Sequence, residues 1–106
     1  MASRFNPLYS AVIDIDDSGN NTVISATTGR SIKVHKMFFI AESGVTITMY
    51  DGSSTALSGP MKFVGSQGMV LDIDEDAWFT TTAGNAFVMN LDIAVQVSGT
   101  IYYTLE

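Results

Sequence analysis

The sequence predicts an all-β fold, an antiparallel β-sandwich of about eight strands. Apolar and polar residues alternate with a period of two in several segments, and this period places successive side chains on opposite faces of a strand. Clusters of turn-forming residues separate these segments at a spacing of about ten residues, which is typical of sandwiches and barrels. A charged content of only 15% and nine glycines also favour sheet over helix.

The alternation is clearest at residues 91–106, where the apolar side chains fall on odd positions. A helical period would scatter them around the whole helix, so we predict a strand. At about 3.3 Å per residue this strand would extend for roughly 50 Å, which is longer than most strands. Gly99 is the expected position of a bend or bulge, because glycine has no side chain. We therefore predict one long, kinked strand at the end of the chain.

Seven earlier segments complete the predicted sandwich, separated by turn formers such as those at 16–21. The alternation breaks at Lys36, and residues 37–40 are apolar on both faces. This pattern indicates either a bulge near His35 and Lys36 or a strand that is covered on both sides. The spacing fits a jelly roll, and a closed barrel is the competing architecture. The seven segments are 9–15, 22–26, 31–41, 45–50, 61–64, 69–73 and 77–82.

Composition and charge exclude several classes of function. The net charge of −6 argues against binding to nucleic acid or to an anionic membrane surface, because both need clustered basic residues. The chain has no cysteine, so it can form neither a disulfide framework nor a thiolate zinc site. No apolar run is long enough to span a bilayer, and residues 1–7 lack the apolar core of a secretion signal. We therefore expect a protein that is made and used without export.

Residues 1–8 are predicted to form an extended arm, followed by a single domain at 9–106. Proline cannot donate to a β-ladder and favours extended backbone in the residue before it. The arm is either a frayed terminus, which is the commoner case, or a tether to a neighbouring subunit, for which the apolar Phe5 and Leu8 provide a reason. The residues expected to make contacts are Arg4, Phe5, Asn6, Pro7 and Leu8.

Two acidic clusters, at 14–17 and 72–76, contain the oxygen ligands that a hard cation such as calcium needs. The first begins like an EF-hand loop, but Ser25 occupies the position where that loop needs a bidentate glutamate. In a strand, the same alternation places the carboxylates on the solvent face. We therefore predict solvated strand ends and no metal site.

The single histidine, His35, is the residue that general-base catalysis would use. The sequence contains no Gly-x-Ser-x-Gly nucleophile elbow and no second histidine. Paired carboxylates could serve glycoside hydrolysis, but such pairs are too common to be specific. We predict a structural or surface histidine, no catalytic residue, no cofactor and no enzymatic activity.

Tyr50 and Tyr102 each lie on an otherwise polar strand face. Interfaces are enriched in tyrosine, so we predict that these two residues mark subunit contacts. Trp78 and Phe79 point to opposite faces of one strand, which places one ring in the core and the other at an edge or interface.

The stretches 83–86, 90–91 and 94–100 read Ala-Gly-Asn-Ala, Asn-Leu and Ala-Val-Gln-Val-Ser-Gly-Thr. These residues resemble the C-terminal part of small all-β virion proteins of tailed bacteriophages, most of all the jelly-roll proteins that decorate or cement phage heads. The resemblance covers about a fifth of the chain. It implies a homotrimer that binds the major capsid protein, and it supplies no catalytic residue.

The expected function is therefore that of a decoration or cement protein on the outer capsid surface, made in the cytoplasm of the host bacterium. The arm would then contact the capsid or a neighbouring subunit. The alternative is a tail or fibre module that recognises a host glycan, through the loop at 51–60 and nearby aromatic residues, or another virion protein.

Overall fold

The computed structural model describes residues 7–106, and within that range the chain forms ten strands and no helix. This part of the chain therefore contains no helix that is long and apolar enough to cross a membrane. The predicted all-β class is confirmed, with two antiparallel sheets packed face to face. The strands are β1 (Tyr9–Ile15), β2 (Gly19–Ile24), β3 (Ile32–Ala41), β4 (Val45–Asp51), β5 (Thr55–Ala56), β6 (Met61–Phe63), β7 (Gly68–Leu71), β8 (Phe79–Thr80), β9 (Phe87–Leu91) and β10 (Val97–Leu105).

The strand order is that of a jelly roll. Sheet A has the order β1-β10-β3-β7, and β8 also pairs with β3. Sheet B has the order β2-β9-β4-β5, and β6 also pairs with β4. β5 and β6 both pair with the same edge of β4, and β7 and β8 both pair with the same edge of β3. Each of these two pairs therefore fills one strand position. The ten strands therefore fill the eight positions of a double-sheet jelly roll, which agrees with the predicted number.

The core lies between the two sheets and consists of their inward side chains. Aromatic pairs join the layers: Phe39 of sheet A meets Phe63 of sheet B edge to face, with ring centroids 5.3 Å apart. Phe79 and Phe87 make a second contact between the sheets at 5.8 Å. Edge-to-face and tilted pairs add to the energy of simple burial, so these rings help to fix one sheet on the other.

The predicted single strand at 91–106 is wrong. Residues 92–96 separate β9 from β10, and the chain passes from sheet B to sheet A at this point. Two hydrogen bonds hold the start of the crossover against β4. The backbone N–H of Asp92 donates to Thr46 O at 3.1 Å, and Asp92 Oδ1 accepts from Thr46 N at 2.8 Å. The alternation of apolar residues continues through the crossover, with Ile93 exposed and Val95 buried, so the pattern alone conceals it.

Gly99 lies inside β10 and not at a break in the strand. It is in register with Ile13 on one side and Phe39 on the other. A Cβ atom at Gly99 would overlap the carbonyl oxygen of Phe38, so glycine is needed here for close approach of two backbones.

The predicted bulge in β3 is confirmed. Tyr102 is paired with Lys36 and Tyr103 with Val34, so His35 is the extra residue. The alternative of a strand covered on both sides fails within the described chain, since side chains on the outer face of β3 remain exposed.

Candidate interaction surface

An exposed row of apolar side chains crosses the outer face of sheet A. The register places Val12 of β1 opposite Thr100 of β10, Thr100 opposite Phe38 of β3, and Phe38 opposite Val70 of β7. Val12 and Val70 are each 73% exposed, Phe38 is 40% exposed, and Ile40 in the next row is 58% exposed. We call Val12, Phe38, Ile40 and Val70 the apolar row. These four side chains come from three strands that are distant in sequence, and the sheet brings them to one surface.

The local sequence of β3 explains half of this surface. Met37 and Phe39 point into the core, so the alternate residues Phe38 and Ile40 must point outward. Gly68 is the partner of Ile40 on β7 and has no side chain that could cover it. Ile40 therefore stays exposed on β3, a central strand of the sheet.

Polar groups lie on both sides of the apolar row. On one side, Lys36 Nζ lies 5.7 Å from the centre of the Tyr102 ring, within cation–π range. On the other side, Gln96 Nε2 donates to Asp14 Oδ1 at 2.8 Å and to Ser98 Oγ at 3.0 Å. An exposed apolar strip between polar groups is typical of a surface that binds another protein.

The outer face of sheet B differs in chemistry. Asn90 Nδ2 donates to Asn20 Oδ1 at 2.8 Å, and Asn20 Nδ2 donates to Ser53 O at 2.9 Å. The apolar Val88 on this face is only 4% exposed and lies in register between Thr22 and Tyr50. This face is therefore polar, and its hydrogen bonds are made within the chain.

His35 makes structural contacts and does not lie at the surface, so of the two predicted placements the surface one is wrong. It is buried, its Nδ1 lies 2.7 Å from Asp74 O, and its Nε2 lies 2.9 Å from the hydroxyl of Thr104. Both ring nitrogens are thus used to hold the bulge of β3 against β10 and the 72–78 loop. Trp78 fixes the same loop, because its indole N–H donates to Asp72 O at 2.6 Å. Phe79 packs against the core and Trp78 is 45% exposed, which confirms that the two rings divide between core and surface.

Asp51 is a buried carboxylate that sequence reasoning missed. Its Oδ1 accepts from Thr82 N and Asn85 Nδ2, each at 3.0 Å, and its Oδ2 accepts from the Thr82 hydroxyl at 2.7 Å. Burial acts to raise the pKa of Asp51, but these hydrogen bonds to the charged form outweigh it and lower the pKa below its usual value of 3.8. A signal was present in the sequence: Asp51 continues the inward series Val45, Ile47 and Met49.

The carboxylates of the second acidic cluster make local hydrogen bonds, whereas Asp14 of the first accepts from the distant Gln96. Asp72 Oδ1 accepts from Ile73 N, and Asp74 Oδ1 accepts from Asp76 N, each at 2.8 Å. Among residues 7–106, no three histidine or acidic side chains lie close enough together to hold a metal ion. The hydrogen bonds of Asp72 and Asp74 stabilise the turn that follows β7.

The predicted contact residues are not brought together. Tyr102 lies on the outer face of sheet A beside the apolar row, whereas Tyr50 lies on the outer face of sheet B. One flat contact can include only one of these tyrosines, and their interface role stays a prediction. In the arm, Leu8 is 53% exposed and Pro7 is also exposed. Arg4, Phe5 and Asn6 lie outside the described residues.

The predicted glycan-binding loop is tied to sheet B. Thr55 and Ala56 pair with the end of β4, and Met49 N donates to Ser58 Oγ at 3.0 Å. Asp51, at its start, is buried and already hydrogen bonded. The recognition of a glycan by this loop stays a prediction.

Comparison with known proteins supports the fold assignment. No protein-family profile and no curated sequence matches the chain. Among solved structures, the coat protein of tobacco streak virus superimposes with a TM-score of 0.51 at 16% identity, over 98% of this chain and 89% of that one. PirA matches with a TM-score of 0.30 at 15% identity, over 97% and 96% of the two chains. At this level of identity, the likeness to the coat protein concerns the fold alone.

Proposed function

We propose that this chain is a structural component of a virus particle, and more specifically a decoration or cement protein of a tailed-phage head. It would bind the outer surface of the capsid through the outer face of sheet A. The apolar row is the observation on which this proposal rests. Four exposed apolar side chains on one face of a regular sheet are typical of a surface that another protein covers.

Three further facts support a role in assembly. Jelly rolls are common in viral capsid domains, and the coat protein of tobacco streak virus shares this fold. The sequence at 83–100 resembles the C-terminal part of small phage virion proteins. The stiff two-layer sandwich also presents the apolar row on a rigid sheet, which lowers the entropy lost on binding.

The energy available from this surface is modest for one copy and large for many. Full burial of a valine, isoleucine or phenylalanine side chain contributes about 1.5–3 kcal/mol, and the apolar row is already partly covered. Scaled by their exposed fractions, these four side chains would contribute roughly 4–7 kcal/mol per copy on full coverage. Association itself costs about 4–15 kcal/mol, so we propose that stabilisation of the capsid comes from many copies bound at once.

We also propose that the chain has no catalytic activity. His35 uses both ring nitrogens in structural contacts, and Asp51 is held by Thr82 and Asn85. The side chains most suited to acid–base chemistry therefore serve the fold. An activity that is lost in a His35→Gln or Asp51→Asn variant, with the fold retained, would contradict this part of the proposal.

The test is cosedimentation with empty capsids assembled from the major capsid protein of the same virus. The wild-type chain should sediment with the capsids at saturable stoichiometry. The double variant Phe38→Asp/Val70→Asp should lose at least tenfold in affinity, since it places two charges in the apolar row.

The matched control is Thr22→Asp/Thr48→Asp, which adds the same two charges to the polar face of sheet B. This variant should bind like the wild type. Equal loss in both double variants, or no binding by the wild type, would contradict the proposal. Binding to tails but not to capsids would assign the chain to another part of the virion.

A further inference from the structure

The edges of the two sheets differ in how well they are protected against pairing with another strand. An unpaired edge offers backbone N–H and C=O groups to any extended chain, and proteins commonly block it with short strands, bulges, proline or lysine. Among the described strands, β5, β6, β7 and β8 have only two to four residues each. β2 carries an irregularity in its register between Thr22 and Ile24 and has three polar residues in a row.

β1 lacks these protections. It has seven residues, it pairs with β10 without any shift in register, and it contains no proline and no basic residue. Its one charged residue, Asp14, lies near the end of the strand and accepts from Gln96. Its other edge pairs with none of the described strands. Val12, the middle residue of β1, is 73% exposed and forms one end of the apolar row. A long regular edge with an apolar centre is the kind of edge that takes up another strand.

We propose that β1 pairs with β1 of a second copy of this chain, antiparallel and about a two-fold axis at Val12. This register uses all seven residues of both strands. It joins sheet A of one copy to sheet A of the other in one continuous sheet, and it brings the two Val12 side chains together. The apolar rows of the two copies then meet end to end at the axis.

In this register, the side chains of β1 in one copy complement those of β1 in the other copy. An antiparallel two-fold pairing centred on Val12 places Ser10 of each copy opposite Asp14 of the other. The Ser10 hydroxyl can donate to that carboxylate, and opposite polar pairs of this kind stabilise neighbouring strands. Centring the axis on Asp14 instead would place two like charges opposite each other, which is unfavourable. On the inner face, the small Ala11 would meet the larger Ile13.

This contact is isologous, whereas the trimer implied by the phage resemblance needs heterologous contacts. The two arrangements therefore predict different solution masses. The inference does not depend on capsid binding, so it can fail while the proposed function stands, and the reverse also holds.

The experiment is size-exclusion chromatography with light scattering on the full chain over a dilution series. We expect a species of twice the 11.4 kDa chain mass at high concentration. The variant Val12→Asp should shift it to the monomer. Val70→Asp is the matched control, because Val70 has the same residue type, the same 73% exposure and the same row, but lies on β7. It should remain dimeric.

A charge swap tests the register itself. Val12→Asp and Val12→Lys should each be monomeric alone, and their mixture should form a heterodimer because opposite charges then meet at the axis. The chain has no cysteine, so Val12→Cys gives a single thiol that should form a disulfide-linked dimer quantitatively under mild oxidation, whereas Val70→Cys should not. A wild-type monomer at every concentration, a trimer, or a dimer that survives Val12→Asp would overturn the inference.

Discussion

The outer faces of sheet A and sheet B have the same architecture and opposite chemistry. Both belong to five-stranded antiparallel sheets that cover the same core. On the outer face of sheet B, the apolar Val88 is buried between Thr22 and Tyr50, and Asn90 donates to Asn20. On sheet A, Val12 and Val70 project from opposite edges with most of their surface exposed. The proposed binding role of sheet A would account for this difference.

The largest predicted effect concerns the close strand approach in sheet A. Gly99→Ala should lower the free energy of unfolding by about 3 kcal/mol, because the new Cβ would overlap the carbonyl oxygen of Phe38 and separate β10 from β3. Chemical denaturation measures the change. Gly59→Ala is the control, since no atom lies within 4 Å of its added Cβ, and it should be nearly neutral. Equal stability of both variants would show that sheet A tolerates a wider strand spacing.

The second largest effect on stability should come from replacing Asp51, at the end of β4 in sheet B. The folded-state pKa of Asp51 is lowered, so the folded chain binds fewer protons than the unfolded chain near and below pH 3.8. The stability from Asp51 is therefore present above that range and lost as the pH falls through the folded-state pKa. Asp51→Asn should cost about 1–3 kcal/mol at neutral pH, because it replaces a charged acceptor of several hydrogen bonds.

The measurement is urea denaturation at a series of pH values. The free energy of unfolding of the Asp51→Asn variant should fall less than that of the wild type as the pH is lowered, because the variant lacks the carboxylate that becomes protonated. Asp16→Asn, at an exposed position after β1, is the matched control and should keep the wild-type pH dependence. A wild-type pH profile in the Asp51 variant would contradict the role assigned to this carboxylate.

The smallest effect on stability should come from exchanging the chemistry of the two faces. Val70→Thr and Thr48→Val each change an outward side chain, so the free energy of unfolding should change by no more than about 0.5 kcal/mol. Binding of a hydrophobic dye should fall in Val70→Thr and rise in Thr48→Val. A large loss of stability in Val70→Thr would mean that the apolar row serves the fold rather than a partner.

Local sequence patterns predicted individual strands well. The alternation at Tyr9–Ile15 and from Val45 onward predicted the strands at those positions, and its break at Lys36 indicated a bulge near His35 and Lys36 as one of two alternatives. These features depend on neighbours in sequence, because a strand's two faces are set by its own period of two.

Features that depend on pairing between distant segments were not predictable in this way. The apolar row requires the register of β1, β10, β3 and β7, and nothing near Val12 in the sequence indicates that it shares a row with Val70. The crossover at 92–96 was missed because Val95 and Val97 keep the alternation of a continuous strand. The role of Asp51 depends on Thr82 and Asn85, which are more than thirty residues away in the chain.

The most direct test of the account is hydroxyl-radical footprinting of the chain, free and bound to empty capsids of the same virus. The reaction modifies exposed side chains, so it reports on each face separately. We predict that Phe38 and Ile40 lose reactivity in the bound state, while Tyr50 on sheet B keeps it. Protection of Tyr50 with unchanged reactivity at Phe38 and Ile40 would contradict the assignment of sheet A as the binding face.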